Sequence, residues 1–168
     1  MVKGQNLVVR RAQAGDAERV ASFVNRALHG RVRVEPRGVI ARLGDVGFLV
    51  AEEDDALLGF IGWHVENLVA CVTDLLIWPD RQRELVGRAL FEEMEAQAMD
   101  LQAEAVLLFL PPSRFSELMP FFEALGYQLR TVSELPRAWR EMAYQAGRED
   151  EDHMPVKQLR SDRVIRPL

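Results

Sequence analysis

The stretch Leu68–Trp78, LVACVTDLLIW, limits the folds open to this chain more than any other segment. Apart from Thr73 and Asp74 it is apolar at odd and even positions alike, and a strand with that pattern is buried on both faces. It stops at Pro79, which cannot donate to a sheet ladder. After a short basic segment a helical pattern is expected to start near Val86 or Gly87. Leu90, Phe91, Met94, Ala98 and Leu101 form its stripe, with Glu92, Glu93 and Glu95 mostly off it. A strand covered on both sides and followed by a helix calls for a layered sheet with helices on its faces.

The rest of the chain supplies those layers. Leu7–Ala12 reads as a first strand. Val20, Phe23, Val24 and Leu28 recur at helical spacing after Asp16, and PRGVIARLG is read as a second short helix ending near Gly44. Gly47–Asp54 and Ala56–Asn67 are strands joined by the turn signal EDDA. Ala105–Leu110 is a buried strand closed by prolines, SELMPFFEAL a helix stopped by Gly126, and YQLRT the start of another strand. Three consecutive strands predict an antiparallel meander, and the later strand–helix–strand unit a right-handed parallel crossover. The expected class is therefore α/β (α+β), a mixed sheet of six to seven strands flanked by helices. A core is expected over residues 1–131. The remainder, 132–168, is read as an extension packed on the same domain: a helix through Trp139 and Met142, an acidic linker REDEDH, a last strand MPVKQL and an arm RSDRVIRPL. A surface-packed terminus and a contact with a second copy in a homodimer are both open for that arm.

Composition narrows the partners. The 168 residues suffice for one domain with a proper core. With 48% hydrophobic and 28% charged residues the chain reads as soluble and globular. A net charge of −5 argues against nucleic acid as the main partner. No apolar stretch approaches the ~20 residues of a membrane helix, and the N-terminal apolar run ends at Arg10 and Arg11 rather than forming a signal core. The single cysteine, Cys71, forms no intramolecular disulfide, rules out a cysteine-rich metal site and is compatible with a cytoplasmic location. No metal site is expected.

The turn after Pro79 carries the chemistry. Arg81, Arg83 and Arg88 crowd it against Asp80 and Glu84, and the helix that follows offers free N–H groups and the positive end of its dipole. The arrangement suits either a solvated turn or an anion.

The segment LLIWPDRQRELVGRAL resembles the signature of the GNAT superfamily of acyl-CoA N-acyltransferases: an apolar strand, a proline, then Arg/Gln-x-x-Gly-x-Gly/Ala opening a helix. Gln82 stands at the Arg/Gln position, Leu85 at the first glycine and Gly87 at the second. The element order from Leu7 to Thr131 agrees, and FFEALGY (Phe121–Tyr127) resembles a further family segment. The resemblance implies acetyl-CoA as acyl donor. Its pantetheine arm would lie along Leu75 and Ile77, and its pyrophosphate on the amides of Gln82, Arg83, Leu85, Val86, Gly87 and Arg88. It also implies transfer by direct attack of an amine, from a small molecule or a protein.

Candidate bases are Asp74, at an acidic position common in the family, with Glu66 and His64, which share a face of the preceding strand. Where the family carries its general-acid tyrosine this chain has Phe122, which has no proton to give. Phe115 and Leu118 replace an asparagine and an alanine. Tyr127 and Cys71 read as core residues, Trp63 and Trp78 as packing residues that edge the cleft. HGRVRVEPRG, with Arg31, Arg33 and Arg37, reads as a solvated loop or a hint of an acidic acceptor. Two functions follow: an acyl-CoA-dependent N-acyltransferase, and a non-catalytic descendant that binds CoA or mediates dimerisation.

Overall fold

The computed structural model describes residues 6–79, 83–111 and 115–160. The elements run β1 (Leu7–Arg11), a 3-10 turn (Ala14–Asp16), α1 (Ala17–Ala27), α2 (Pro36–Asp45), β2 (Gly47–Glu53), β3 (Ala56–Glu66), β4 (Val69–Ile77), α3 (Arg83–Asp100), β5 (Ala105–Leu108), α4 (Phe115–Ala124), β6 (Gln128–Thr131), a second 3-10 turn (Val132–Glu134), α5 (Arg137–Gln145) and β7 (His153–Gln158). Seven strands make one mixed sheet in the order β1-β2-β3-β4-β5-β7-β6. This is the α/β class read from the sequence. The terminal arm from Ser161 onward lies outside the described residues.

Two tight turns shape the meander. Asp54 and Asp55 take φ of 50° and 65°, and Asn67 and Leu68 take 51° and 64°. Paired positive φ values are those of the hairpin turn whose twist matches right-handed strands. The second turn corrects the boundary expected at Leu68: β4 begins at Val69, because the hairpin needs two left-handed residues and Leu68 is one of them.

The chain divides into two compact units, Met1–Trp63 with Asp74–Met94, and His64–Thr73 with Glu95–Leu168. In the first, β1, β2 and β3 pair antiparallel, with a register shift between Ala51 and Glu52. The amphipathic face of α1 buries Val20, Phe23 and Val24, and Val39 of α2 joins them against Phe48 and Phe60. In the second, Val69–Val72 of β4 pairs parallel with β5, and β7 runs antiparallel to both β5 and β6. Trp139 of α5 and Met154 of β7 are buried in its core with Cys71 and Leu107. A polar staple fixes the same unit: the Tyr127 hydroxyl donates to Glu95 at 2.9 Å, and Lys157 Nζ donates to Glu95 and to the Leu125 carbonyl, each at 2.8 Å.

An ion network ties β1 to β2 and α1. Arg10 donates to both oxygens of Asp16 at 2.8 Å and to Glu52 at 2.8 Å, and Arg19 reaches Glu52 at 3.1 Å. The Arg10 hydrogen bonds, helped by the Gln13 N–H and opposed by burial, lower the Asp16 pKa from 3.8 to about 2. A depressed carboxylate stabilises the fold above its unfolded pKa and loses that contribution as pH falls through its folded one. Asp16 is thus expected to contribute on the order of 1–2 kcal/mol at neutral pH, discounted for the partly exposed Arg10, and to lose it between about pH 4 and pH 2. Urea midpoints at about pH 7 and about pH 2.5, above the transition and most of the way through it, test this. In Asp16→Asn the midpoint at pH 7 should drop and the difference between the two pH values should shrink.

Candidate active site

Asp74 lies in the part of β4 that belongs to the first unit, and one guanidinium grips it. Arg42 donates through Nε to Oδ1 and Oδ2 at 3.3 and 3.1 Å, and through Nη2 to Oδ2 at 2.8 Å. Local sequence explains the encounter. Pro36 opens α2 at a position where a missing N–H costs nothing. Val39 then faces the core, and Arg42, three residues on, leaves the helix on nearly the same side. The Asp74 hydrogen bonds raise the Arg42 pKa against the opposing effect of burial, with Asp45 adding a smaller attraction. Both side chains keep solvent access, 39% for Arg42 and 27% for Asp74.

Two glycines of β3 make room. A Cβ on Gly62 would stand 2.6 Å from Asp74 Oδ2 and 2.9 Å from its Cβ. A Cβ on Gly59 would stand 2.9 Å from the Leu76 carbonyl oxygen, 3.1 Å from Val86 Cγ1 and 3.2 Å from Ile77 Cγ1. Gly59 therefore lets the end of β4 and the start of α3 approach β3 together. Beyond Ile77, Trp78 N–H donates to the Leu58 carbonyl at 3.1 Å, and the indole packs edge-on against Phe23 with Arg26 above it.

The helix after Pro79 begins earlier than the periodicity implied. α3 starts at Arg83, so Leu85, Val86 and Gly87 lie within its first two turns and Glu84 supplies an acid to the first. The correction has a simple cause: Arg, Glu and Leu are strong helix formers and extend the helix backward past its apolar stripe. Val86 is fully buried and Gly87 is buried. Leu85, at the place of a family glycine, is 43% exposed and helical, so its side chain projects into solvent. Arg83 is half-buried and Arg88 exposed, while Leu75 and Ile77 are half-buried on β4. Gln82 lies outside the described residues. The first N–H groups of any α-helix lack partners within it, and the described part of α3 opens at Arg83. The positive end of a helix, the exposed Arg88 and a Leu85 turned to solvent suit an anionic diphosphate.

The remaining candidates fall in the second unit. His64 is half-buried and Glu66 exposed at the end of β3. Cys71 is fully buried, and burial, with the Glu66 carboxylate adding to it, pushes its thiol up to about 12. A thiol so held is inert as a nucleophile. Phe122 is fully buried beside Phe121 and edge-on to Tyr127, and Leu118 is buried as well. Tyr127 is core, as expected, and burial raises its pKa. Trp63 is buried, as expected of a packing residue. Sequence reasoning missed Arg42, Gly59 and Gly62. The glycines carried a readable signal, since glycine inside a strand marks close approach of another backbone or group.

The sequence profile of the acetyltransferase (GNAT) domain matches residues 44–129, more than half of the chain and including Asp74, Pro79, α3 and Phe122. The chain belongs to the GNAT acetyltransferase family. No curated protein matches it at the sequence level. Solved GNAT folds do match in structure. N-acetylglutamate synthase from Neisseria gonorrhoeae, complexed with coenzyme A and N-acetyl-glutamate, superposes with a TM-score of 0.68 at 18% identity over 95% of this chain. The chain spans only 36% of that enzyme's length. YncA from Salmonella typhimurium with acetyl-CoA gives 0.66 at 15% identity, over 94% of this chain and 96% of the other. The PaiA N-acetyltransferase from Thermoplasma acidophilum with coenzyme A gives 0.67 at 14%, over 90% and 98%. At these identities the likeness is one of fold. No helix among the described residues of this GNAT protein is long and apolar enough to cross a membrane.

Proposed function

We propose that this GNAT protein is an acyl-CoA-dependent N-acyltransferase that moves acetyl from acetyl-CoA to an amine by direct attack. The observation that carries the proposal is the junction at the end of β4. There Gly59 seats Leu76, Ile77 and Val86 together, and α3 opens at Arg83 with Leu85 turned outward. Backbone groups of Leu75 and Ile77 would hold the donor's arm. Amides at the opening of α3, with that of Gln82, would face its diphosphate, whereas those of Gly87 and Arg88 lie inside the helix and bond its own carbonyls. Solved neighbours that carry CoA or acetyl-CoA support that choice of donor.

The donor supplies a thioester carbonyl. As the amine nitrogen bonds to that carbon, the carbon–sulfur bond breaks. Asp74, one residue before Leu75 on the same strand, accepts the proton leaving the nitrogen. The sulfur takes its proton from water, because Phe122 has none to give and lies in the core. His64 and Glu66 remain secondary candidates for the base. The buried Phe122 also favours a second reading, a CoA-binding module without turnover.

The test is a pair of measurements. Millimolar acetyl-CoA should raise the melting temperature, since a ligand at about a hundredfold over its Kd stabilises by about 2.7 kcal/mol. Thiol release over an amine panel should then report turnover. Asp74→Asn should retain the thermal shift and lose about two to four orders of magnitude in kcat. The donor assignment fails if the melting temperature does not move. A shift without turnover selects the non-catalytic reading, and undiminished kcat in Asp74→Asn moves the base elsewhere.

A further inference from the structure

We propose that Arg148 binds a carboxylate of the acceptor at the C-terminal end of β5, so that the protein selects amines that also carry an acid. The proposal rests on the acyltransferase reading above and deepens it.

Arg148 stands just past α5, and its backbone is fixed. Gly147 takes φ of 78°, and the Arg148 N–H donates back to the Ala143 carbonyl at 2.9 Å. This is the left-handed turn that commonly ends a helix. Trp139 and Ala143 of the same helix are buried with Ala105 and Leu107 of β5. The side chain thus starts from a rigid base and reaches the end of β5, where Nη2 donates to the Leu110 carbonyl at 3.2 Å. That carbonyl lies just beyond the last rung of the parallel pair. Val72 pairs with Leu108, and the Phe109 N–H donates to the Val72 carbonyl at 2.9 Å. Pro111 then bars further pairing. Sheets of parallel strands take their ligands outside the carboxyl ends of those strands. β4 runs on from Val72 to the residues proposed to hold the donor.

Charge indicates what belongs there. Glu149, Asp150, Glu151 and Asp152 follow Arg148 directly in the chain. Among the described residues none of them pairs with its guanidinium. Two of these acids are engaged elsewhere: Asp152 accepts from the Glu149 N–H at 2.7 Å, and Asp150 accepts from the Tyr144 hydroxyl. The carbonyls of Asp150 and Asp152 accept from Ser133 and Val132 at 3.0 and 2.9 Å, so the loop is tied down. Arg148 is half-buried, and its Nε is shut from solvent without an acceptor. A guanidinium cannot escape that position by losing its proton. A cation held partly out of water with no counter-charge is costly, and an incoming anion offsets the cost. A carboxylate suits better than a phosphate, because its planar edge matches the guanidinium and its single charge is repelled less by the four acids alongside. Arg148 is then a specificity-determining residue, touching the acceptor's carboxylate and not the reacting atoms.

The experiment uses the full chain with amines in matched pairs, the common L-amino acids and their carboxamides, which share the amine and differ in the acid. Binding in the presence of CoA is followed by NMR on the arginine Nε–H resonances, the Arg148 signal being the one lost in Arg148→Lys. Turnover is followed by thiol release. The preferred amino acid should move the Arg148 resonance and exceed its carboxamide about ten- to a hundredfold in kcat/KM, as expected for a hydrogen bond between charged groups. Arg148→Gln, which can still donate to the Leu110 carbonyl, should bring that ratio close to one, and Arg148→Lys should restore part of it. Arg137→Gln, on the exposed face of α5, removes an equal charge and should keep the ratio. The wild-type ratio and resonance decide the matter should Arg148→Gln fail to fold. Melting with acetyl-CoA is measured on every protein. No acetyl-CoA shift in wild type ends the acyltransferase reading, and this assignment with it. A shift with no preference for the acid, a preference that survives in Arg148→Gln, or one lost equally in Arg137→Gln overturns the assignment alone. So does inorganic phosphate that moves the Arg148 resonance at lower concentration than the amino acid.

Discussion

Truncation after Thr131 should abolish folding of the second unit and leave little soluble protein. β7 stands between β5 and β6 in the sheet, so removing it takes the hydrogen-bonded neighbour from both. The lost segment also carries Val132, Leu135, Trp139, Met142, Ala143, Met154 and Val156, which make up most of that unit's buried cluster. Each large apolar side chain contributes about 1.5–3 kcal/mol on burial. Losing even four of them outweighs much of the roughly 5–15 kcal/mol by which a domain is stable. A milder change isolates the packing: Trp139→Ala removes a side chain that is 1% exposed and should cost about 3–5 kcal/mol. Soluble yield and near-ultraviolet circular dichroism measure the first, urea unfolding the second. A soluble chain of residues 1–131 that melts cooperatively would show that the segment is an accessory to the fold.

Gly62→Val should disable the site while leaving most of the fold intact. The first atom added at position 62 meets Asp74 Oδ2 at 2.6 Å and its Cβ and Cγ at 2.9 and 3.0 Å. Because Asp74 Cβ is among the crowded atoms, rotating the carboxylate away does not relieve the clash. The β4 backbone must shift, and the hold of Arg42 on Asp74 goes with it. Overpacking of this kind costs about 1–3 kcal/mol, and a misplacement near 1 Å in a reacting group costs about a hundredfold in rate. The expected result is a lower melting temperature, a retained acetyl-CoA shift and about hundredfold slower thiol release. Unchanged turnover in a folded Gly62→Val protein would remove Asp74 from the reaction. The acetyl-CoA arm separates this from damage at Gly59, whose neighbours are Leu76, Ile77 and Val86.

Both expectations concern residues that local patterns describe unevenly. Hydrophobic period, turn residues and helix-breaking positions are properties of neighbours in the chain. They specified the order of strands and helices, the meander, the turn at Asp54–Asp55 and the junction after Pro79, and they placed Asp74 on a strand beside Leu75 and Ile77. The start of α3 was less legible, because Arg83 and Glu84 extend a helix without adding to its apolar stripe. Pairings between distant residues carry no local signal. Arg42 and Asp74 are separated by 32 positions in the chain, and only the folded backbone sets their distance. The insertion of β7 between β5 and β6, the crowding at Gly59 and Gly62, and the burial of Phe122 are likewise decided by which surfaces meet in space. The sequence alone determined the elements and their succession, since those depend on interactions along the chain. The tertiary structure decided which charges face each other and which side chains are shut away from water, since those depend on distances the chain's order leaves open.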